Sequence, residues 1–256
     1  MLDRTKRIKR ILATIPQLSD YRLELVDTIV DVFQQPKDFS VSPQTDIFDS
    51  AIVDDFGDIL RLHHCFSREP FSKDKFEYAL ESVLRIAGIP ADLAPRGQRG
   101  FDITIARQRV SLKTEAAASI RINAIHISKF MELGGGEWGD NPKDLIGLRD
   151  QFLKALSTFD RIFMLRTLKK GKPDFVYELV EIPITLLQEA RNGVLKMKLD
   201  SSQFPKPGYC YVGKGQKPKY CLYFDGGGER KLQIKKLQKT NCILHASWSF
   251  APPKRI

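Results

Sequence analysis

Cysteine is scarce in this chain: Cys65, Cys210, Cys221 and Cys242 are the only four, and no two form a C-x-x-C pair. Such spacing argues against a zinc ribbon or a disulfide framework and for reduced, buried thiols. No apolar run approaches membrane-spanning length, so no membrane partner is expected. The N-terminal MLDRTKRIKRIL is basic but lacks the apolar stretch of a secretory signal, and a cytoplasmic location is the expectation. The glycine triplets Gly134–Gly136 and Gly226–Gly228 do not continue as G-K-[ST], which removes a phosphate-cradling nucleotide loop. No G-x-S-x-G elbow supports serine-hydrolase chemistry. His63–His64 has no second ligand pair at metal spacing and reads as core or surface histidine. Internal repeats and low-complexity tracts are absent too.

What is present is an ordinary globular composition with an uneven charge. At 256 residues, 42% apolar and 28% charged, the chain can bury a sizeable core. The formal charge is +10. Asp46, Asp49, Asp54, Asp55 and Asp58 make one segment acidic, while the positive excess lies near the N-terminus, in Lys169–Lys172 and across Lys206–Lys239. A basic surface of this kind favours a polyanionic partner, nucleic acid being the commonest, but says nothing about chemistry.

Hydrophobic spacing divides the chain. Residues 5–35 are helical by pattern, broken near Pro16 and Ser19, and 36–50 read as a loop. Phe71–Ala87 is an amphipathic helix with Ser72 as its N-cap and Gly88 and Pro90 at its end. Ala124–Phe130 alternates as a strand, Pro142–Phe159 carries a helical stripe, and Arg161–Leu168 and Asp174–Ile182 are strands. A helix begins at Pro183, and Tyr209–Val212, Tyr220–Phe224, Lys231–Ile234 and Ile243–Phe250 are short strands. This order predicts an α/β fold with a mixed sheet flanked by helices, in which a helical region 1–50 packs on a core 51–256 as one compact domain.

The most telling stretch is Phe101–Glu115, FDITIARQRVSLKTE, two alternating strands joined by a charged turn. Ser111, Lys113 and Glu115 share one face, and Leu112 and Thr114 take the other. Asp102 on one strand and Lys113 on the next form a minimal kit for metal-assisted phosphodiester hydrolysis: the acid holds a hard divalent cation and the lysine orients the attacking water. Alone, the pattern is more often a surface hairpin with scattered charges. The helix before it strengthens the case. Nuclease cores of the PD-(D/E)xK type place an acid on such a helix, and Glu77 is preferred over Glu81, one turn further on. Ser111 departs from the motif, which puts Asp or Glu there. Glu77 or Glu115 must then supply the missing charge, and the Leu112 carbonyl is a further possible ligand.

FDITIARQRVSLKTEAA, followed by IHISKFMELGGGEW, resembles the SmaI-type restriction endonucleases, a type II family; so do DDFGDILRLHH before it and FDRIFMLRTL, YELVEIP, PKPGY and LYFDGGGERKLQIKKL after it. The resemblance runs from about Asp54 to Phe250, and the first fifty residues match poorly. It implies a PD-(D/E)xK core and Mg2+-dependent double-strand cleavage of DNA at a short GC-rich palindrome. The family's prototype cuts CCCGGG to blunt ends. A palindromic target implies a homodimer, because protein two-fold symmetry mirrors that of the site, and a cognate DNA methyltransferase as functional companion. Within Asp225–Lys236, Arg230 and Lys231 are expected to read guanine, and Glu229 or Asp225 cytosine. Lys235, Lys236 and Lys214 suit phosphate positioning, and His126 with Lys129 makes a DNA-facing strand. Two alternatives stay open: a repair or recombination nuclease acting on DNA structure, and a DNA-binding relative that has lost catalysis, for which Ser111 is the argument.

Overall fold

The structure is a computed structural model and describes residues 3–95, 97–98, 100–117, 120–134, 138–170, 173–213 and 217–253. Helices α1 (Arg4–Thr14) and α2 (Asp20–Gln34) open the chain, separated by a 3-10 turn at Ile15–Gln17. Pro16 sits in the first positions of that turn, where its missing N–H would go unpaired in any case. Strand β1 (Asp38–Val41) then lies within the expected loop 36–50, and helix α3 (Ser50–Phe66) spans most of the acidic segment. Helix α4 (Lys73–Ile86) starts where Ser72 accepts a hydrogen bond from Lys75 N–H, as the sequence predicts. Two short strands follow, β2 (Ala91–Leu93) and β3 (Ile103–Ile105), and then β4 (Gln108–Glu115) and β5 (Ala124–Glu132). Helix α5 (Leu145–Ala155), strands β6 (Arg161–Lys170) and β7 (Phe175–Glu181) and helix α6 (Ile184–Gln188) come next. The chain ends with β8 (Val194–Met197), β9 (Gly208–Val212), β10 (Tyr220–Phe224), β11 (Lys231–Gln238) and β12 (Ile243–Phe250).

These strands form two sheets. The larger has seven strands in the order β1-β12-β7-β6-β4-β3-β2, and the smaller five, β5-β11-β10-β9-β8. In the large sheet only β4 and β6 are parallel, and the chain between them passes through β5 and α5. The β3–β4 hairpin turns through Ala106 and Arg107, both at positive φ (47° and 72°), the backbone a two-residue hairpin needs to match strand twist.

Strand alternation sorts the side chains into two cores on opposite faces of the large sheet. Val110, Leu112, Phe163 and Leu165 pack with α3 and α4, whereas Ile162 and Met164 pack with α5, α6 and the small sheet. Burying each such side chain contributes about 1.5–3 kcal/mol. Trp248 ties β12 to α3: its Nε1–H donates to the Val53 carbonyl at 2.7 Å, and a Cβ at Gly57 would collide with its ring.

The acidic segment is spent on structure. Asp46 pairs with Arg161 at 2.8 Å, Asp49 caps α3 by accepting from Ile52 N–H, and Asp58 binds Lys37 and Arg61. Arg161 also holds Glu181 at 2.5 Å, and Glu181 accepts from His245 at 2.9 Å, so the loop before α3 is bolted to β6, β7 and β12. All four cysteines are free thiols, three of them buried, as expected.

Candidate active site

Because Val110 and Leu112 point toward α4, Ser111, Lys113 and Glu115 point to the other face, where β5 and α5 lie. Asp102 sits one residue before β3, with its N–H on the Val110 carbonyl at 2.9 Å. One carboxylate oxygen of Asp102 accepts from Leu112 N–H at 2.6 Å and from Ser111 Oγ at 3.2 Å. Lys113 Nζ donates to the same Ser111 Oγ at 2.9 Å. Serine at the usual acid position therefore serves as a link, fixing Asp102 and Lys113 to one another. Lys113 is half-buried, with Phe130 beneath its ammonium at 5.9 Å, and desolvation lowers its pKa from the usual lysine value, with the charge on Asp102 working against that shift.

The other oxygen of Asp102 accepts from Lys73 Nζ at 2.6 Å, and the same ammonium donates to Glu77 Oε1 at 2.7 Å. Glu77 is thus brought to Asp102 from the first turns of α4. Glu81 is not: its carboxylate accepts from Leu93 N–H at 3.3 Å and anchors β2 instead. Asp102, Ser111, Lys113 and Lys73 line one cleft of about 670 Å3, together with Lys129, Phe130 and Glu132 of β5.

Glu115 stands outside this cluster. Its Oε2 accepts from Arg166 Nε at 2.7 Å, its Oε1 accepts from His126 N–H at 2.9 Å, and it lines a separate cavity of about 240 Å3. Adjacent parallel strands set Glu115 opposite Arg166, so this carboxylate neutralises a fully buried guanidinium. Its carboxylate is thus engaged by Arg166 and the His126 N–H, and not by the Lys73 ammonium that joins Asp102 to Glu77.

The remaining predicted residues lie on the small sheet and its loops. Asp225 turns inward: it accepts from Gly227 N–H at 3.0 Å, Gln203 Nε2 at 3.2 Å and Gln233 Nε2 at 3.1 Å, and so braces the glycine loop. Arg230, at positive φ, lies 5.8 Å from the Trp138 ring in a cavity of about 530 Å3. Glu229 is exposed and accepts from Lys231 at 2.9 Å. Lys235 sits over the Tyr223 ring at 3.5 Å, and burial lowers its pKa. Lys236, beside it, is exposed and lines the same cavity as His126 and Glu115. Lys129 pairs with Glu132 at 2.8 Å, and both line the cleft that holds Asp102 and Lys113. Lys214 lies outside the described residues.

Two residues that the sequence reading passed over matter here. Lys73 was legible in principle, since its spacing of four from Glu77 places both on one helix face. Arg166 looked like one more strand residue, and only strand pairing reveals its partner.

Among the described residues no three of His, Cys, Asp and Glu converge as a ready-made metal centre. The hard-oxygen chemistry for a divalent ion is nevertheless present. Two carboxylates from different elements already share one cation, the Lys73 ammonium. A hairpin acid and a half-buried lysine line one cleft, and a helix-borne acid is tied to them through Lys73.

Comparison with known proteins gives the class. A family model described as "SmaI: Type II site-specific deoxyribonuclease" matches residues 11–250. The type II restriction enzyme SmaI of Serratia marcescens is 47% identical over 210 residues, covering 81% of this chain and 83% of that protein. No solved structure matches. The chain belongs to the SmaI family of type II site-specific deoxyribonucleases, and it is a restriction endonuclease that cleaves DNA in a sequence-specific manner.

Proposed function

We propose that this enzyme cuts both strands of the GC-rich palindrome CCCGGG in a Mg2+-dependent reaction, on a PD-(D/E)xK core whose second acid is Glu77. The single observation that carries the reading is that Asp102 and Lys113 line one cleft with Lys73, whose ammonium also holds Glu77 and so bridges the two carboxylates. Asp102 and Glu77 would hold the ion, with the Leu112 carbonyl as a further hard donor. A Mg2+ ion held there would supply Lewis acidity at the scissile phosphate and make an attacking water more acidic. Asp102 is oriented for this by Leu112 N–H and Ser111 Oγ. Lys113 Nζ, whose charged form burial disfavours, orients the attacking water and moves a proton at that nitrogen.

Base reading falls to the small sheet. Strand β5 borders the catalytic cleft with Lys129–Glu132 and pairs with β11, where Lys231 lies opposite Glu132. The β5–β11 pair therefore runs from the cleft to the glycine loop that bears Glu229, Arg230 and Lys231. Arg230 and Lys231 read guanine and Glu229 cytosine, while Asp225 keeps the loop in shape. Lys235, Lys236, His126 and Lys129 position phosphates. A homodimer suits a palindrome, and the apolar side chains exposed along α1 and α2 (Ile8, Ile11, Leu12, Leu23 and Phe33) support it. A cognate methyltransferase would protect the host's own copies of the target.

The test is digestion of plasmid DNA with Mg2+ and sequencing of the fragment ends. Discrete fragments with blunt CCC/GGG ends are expected. Structure-dependent nicking, or no cutting in Mg2+, would overturn the reading.

A further inference from the structure

We propose that Lys73 is a resident cation of the resting enzyme, holding the place between Asp102 and Glu77 until a divalent ion displaces it. The inference rests on those two carboxylates being the metal ligands. It adds a residue that competes for their site and couples metal binding to a movement of its side chain.

The position of Lys73 is hard to explain by helix stability. A lysine in the first turn of α4 opposes the positive end of the helix dipole, and Ser72 already caps that end. Its ammonium instead donates to Asp102 Oδ1 at 2.6 Å and to Glu77 Oε1 at 2.7 Å. The two carboxylates are largely covered, 19% and 20% exposed, and facing one another they repel unless a cation stands between them.

Asymmetry in the surroundings allows exchange. Lys73 is 39% exposed, so its head can swing out on its flexible stem, whereas Asp102 remains fixed by Leu112 N–H and Ser111 Oγ. A Mg2+ ion holds oxygens at about 2.0–2.1 Å, closer than Lys73 holds them, and carries twice the charge. Displacement leaves Lys73 on the wall of the same cleft, free to meet the phosphate of an incoming strand. The metal-free enzyme thus keeps its acids together, and metal entry releases a positive charge where DNA will lie.

Mn2+ binding to the whole, DNA-free enzyme tests this, with free ion measured by electron paramagnetic resonance. Lys73→Gln should bind Mn2+ roughly tenfold more tightly than the unaltered enzyme, the change that about 1.4 kcal/mol of relieved competition produces. Lys73→Arg, which keeps the cation, should show no such gain. Unchanged or weaker binding by Lys73→Gln overturns the proposal. A second measurement uses the unaltered enzyme: amine-reactive labelling of Lys73, read by mass spectrometry, should rise when Mn2+ is added, and labelling indifferent to Mn2+ also overturns it. The underlying metal site is judged separately. If Asp102→Asn and Glu77→Gln bind Mn2+ as the unaltered enzyme does, the ligand assignment fails; if they lose it while Lys73→Gln gains nothing, only the role of Lys73 is lost.

Discussion

Glu115 offers the sharpest test of the reasoning, because the strand pattern and the tertiary structure give it different jobs. Pattern alone puts it on the same strand face as Lys113, a candidate for the missing acid. In the structure its carboxylate is bound to Arg166, whose guanidinium also donates to Glu178 at 3.2 Å and to the carbonyls of Arg121, Ile122 and Ala124, five hydrogen bonds in all. Arg166 is fully buried and Glu115 is 5% exposed on its side chain, so solvent screens this pair little. Glu115→Gln keeps the shape but exchanges a charge-assisted bond for a neutral one, a loss of about 1.5–3 kcal/mol. Arg166→Met strands Glu115 with Glu178, although Glu178 retains Lys239 at 2.7 Å, and should cost roughly 3–5 kcal/mol. The double variant should lose less than the two single losses together, since each removes the same interaction. Urea unfolding gives the stabilities, and plasmid cleavage in Mg2+, at a temperature where every variant is folded, gives the activities. The expected result is a lowered midpoint with cleavage retained within about tenfold for Glu115→Gln, a loss of no more than ~1.4 kcal/mol of transition-state stabilisation. A Glu115→Gln enzyme of unchanged stability that no longer cuts DNA would refute the structural role and return this carboxylate to the active site.

Other predictions follow from the same structure. Asp102→Ala and Lys113→Ala should abolish plasmid cleavage while leaving DNA binding measurable by gel shift; full cutting by either removes the proposed site. Arg230→Ala should cost about 1–3 kcal/mol of discrimination between the target and a single-base variant. An equal loss on every sequence, with a shallower salt slope, would make Arg230 a phosphate contact. His64 is buried against Phe175, with ring centroids 3.5 Å apart, and hydrogen-bonded to Ser67 and Tyr177; burial lowers its pKa to about 4. The folded state therefore binds fewer protons than the unfolded chain between about 4 and 6.5, so the contribution is complete above 6.5 and lost as pH falls toward 4. It should reach roughly 3 kcal/mol, and His64→Leu should flatten the unfolding free energy across that window, where parallel pH curves would count against the assignment.

Much of the fold was readable because it rests on local periodicity. α4, with its Ser72 cap, the strands β6 and β7, and the break at Pro16 follow from patterns that the chain carries within a turn or two. β1 did not, since Asp38–Val41 is a short edge strand in a Pro-, Ser- and Asp-rich stretch, and pairing with β12 makes it a strand. α3 escaped for a related reason. Three aspartates within it and two just before it obscure its apolar stripe, and Asp46, Asp54 and Asp58 make sense only beside Arg161, Lys37 and Arg61. β2 and β8, three and four residues long, are likewise set by their partners.

The sequence by itself determined the chemical kit: Asp102 at the start of one hairpin arm and Lys113 on the other, Ser111 where an acid is usual, an acid-bearing helix before them, and a basic C-terminal third. Strand alternation and helix spacing are properties of a few consecutive residues, so these could be read without coordinates. Which acid shares a cation with Asp102 is decided only by the tertiary structure. Glu77, Glu81 and Glu115 are chemically equivalent in the sequence, and a carboxylate's role depends on the cation it meets. Packing gives Glu81 to a backbone N–H of β2, Glu115 to Arg166, and Glu77 to the ammonium it shares with Asp102. Charges act over ångströms in space, and no spacing along the chain reports those distances.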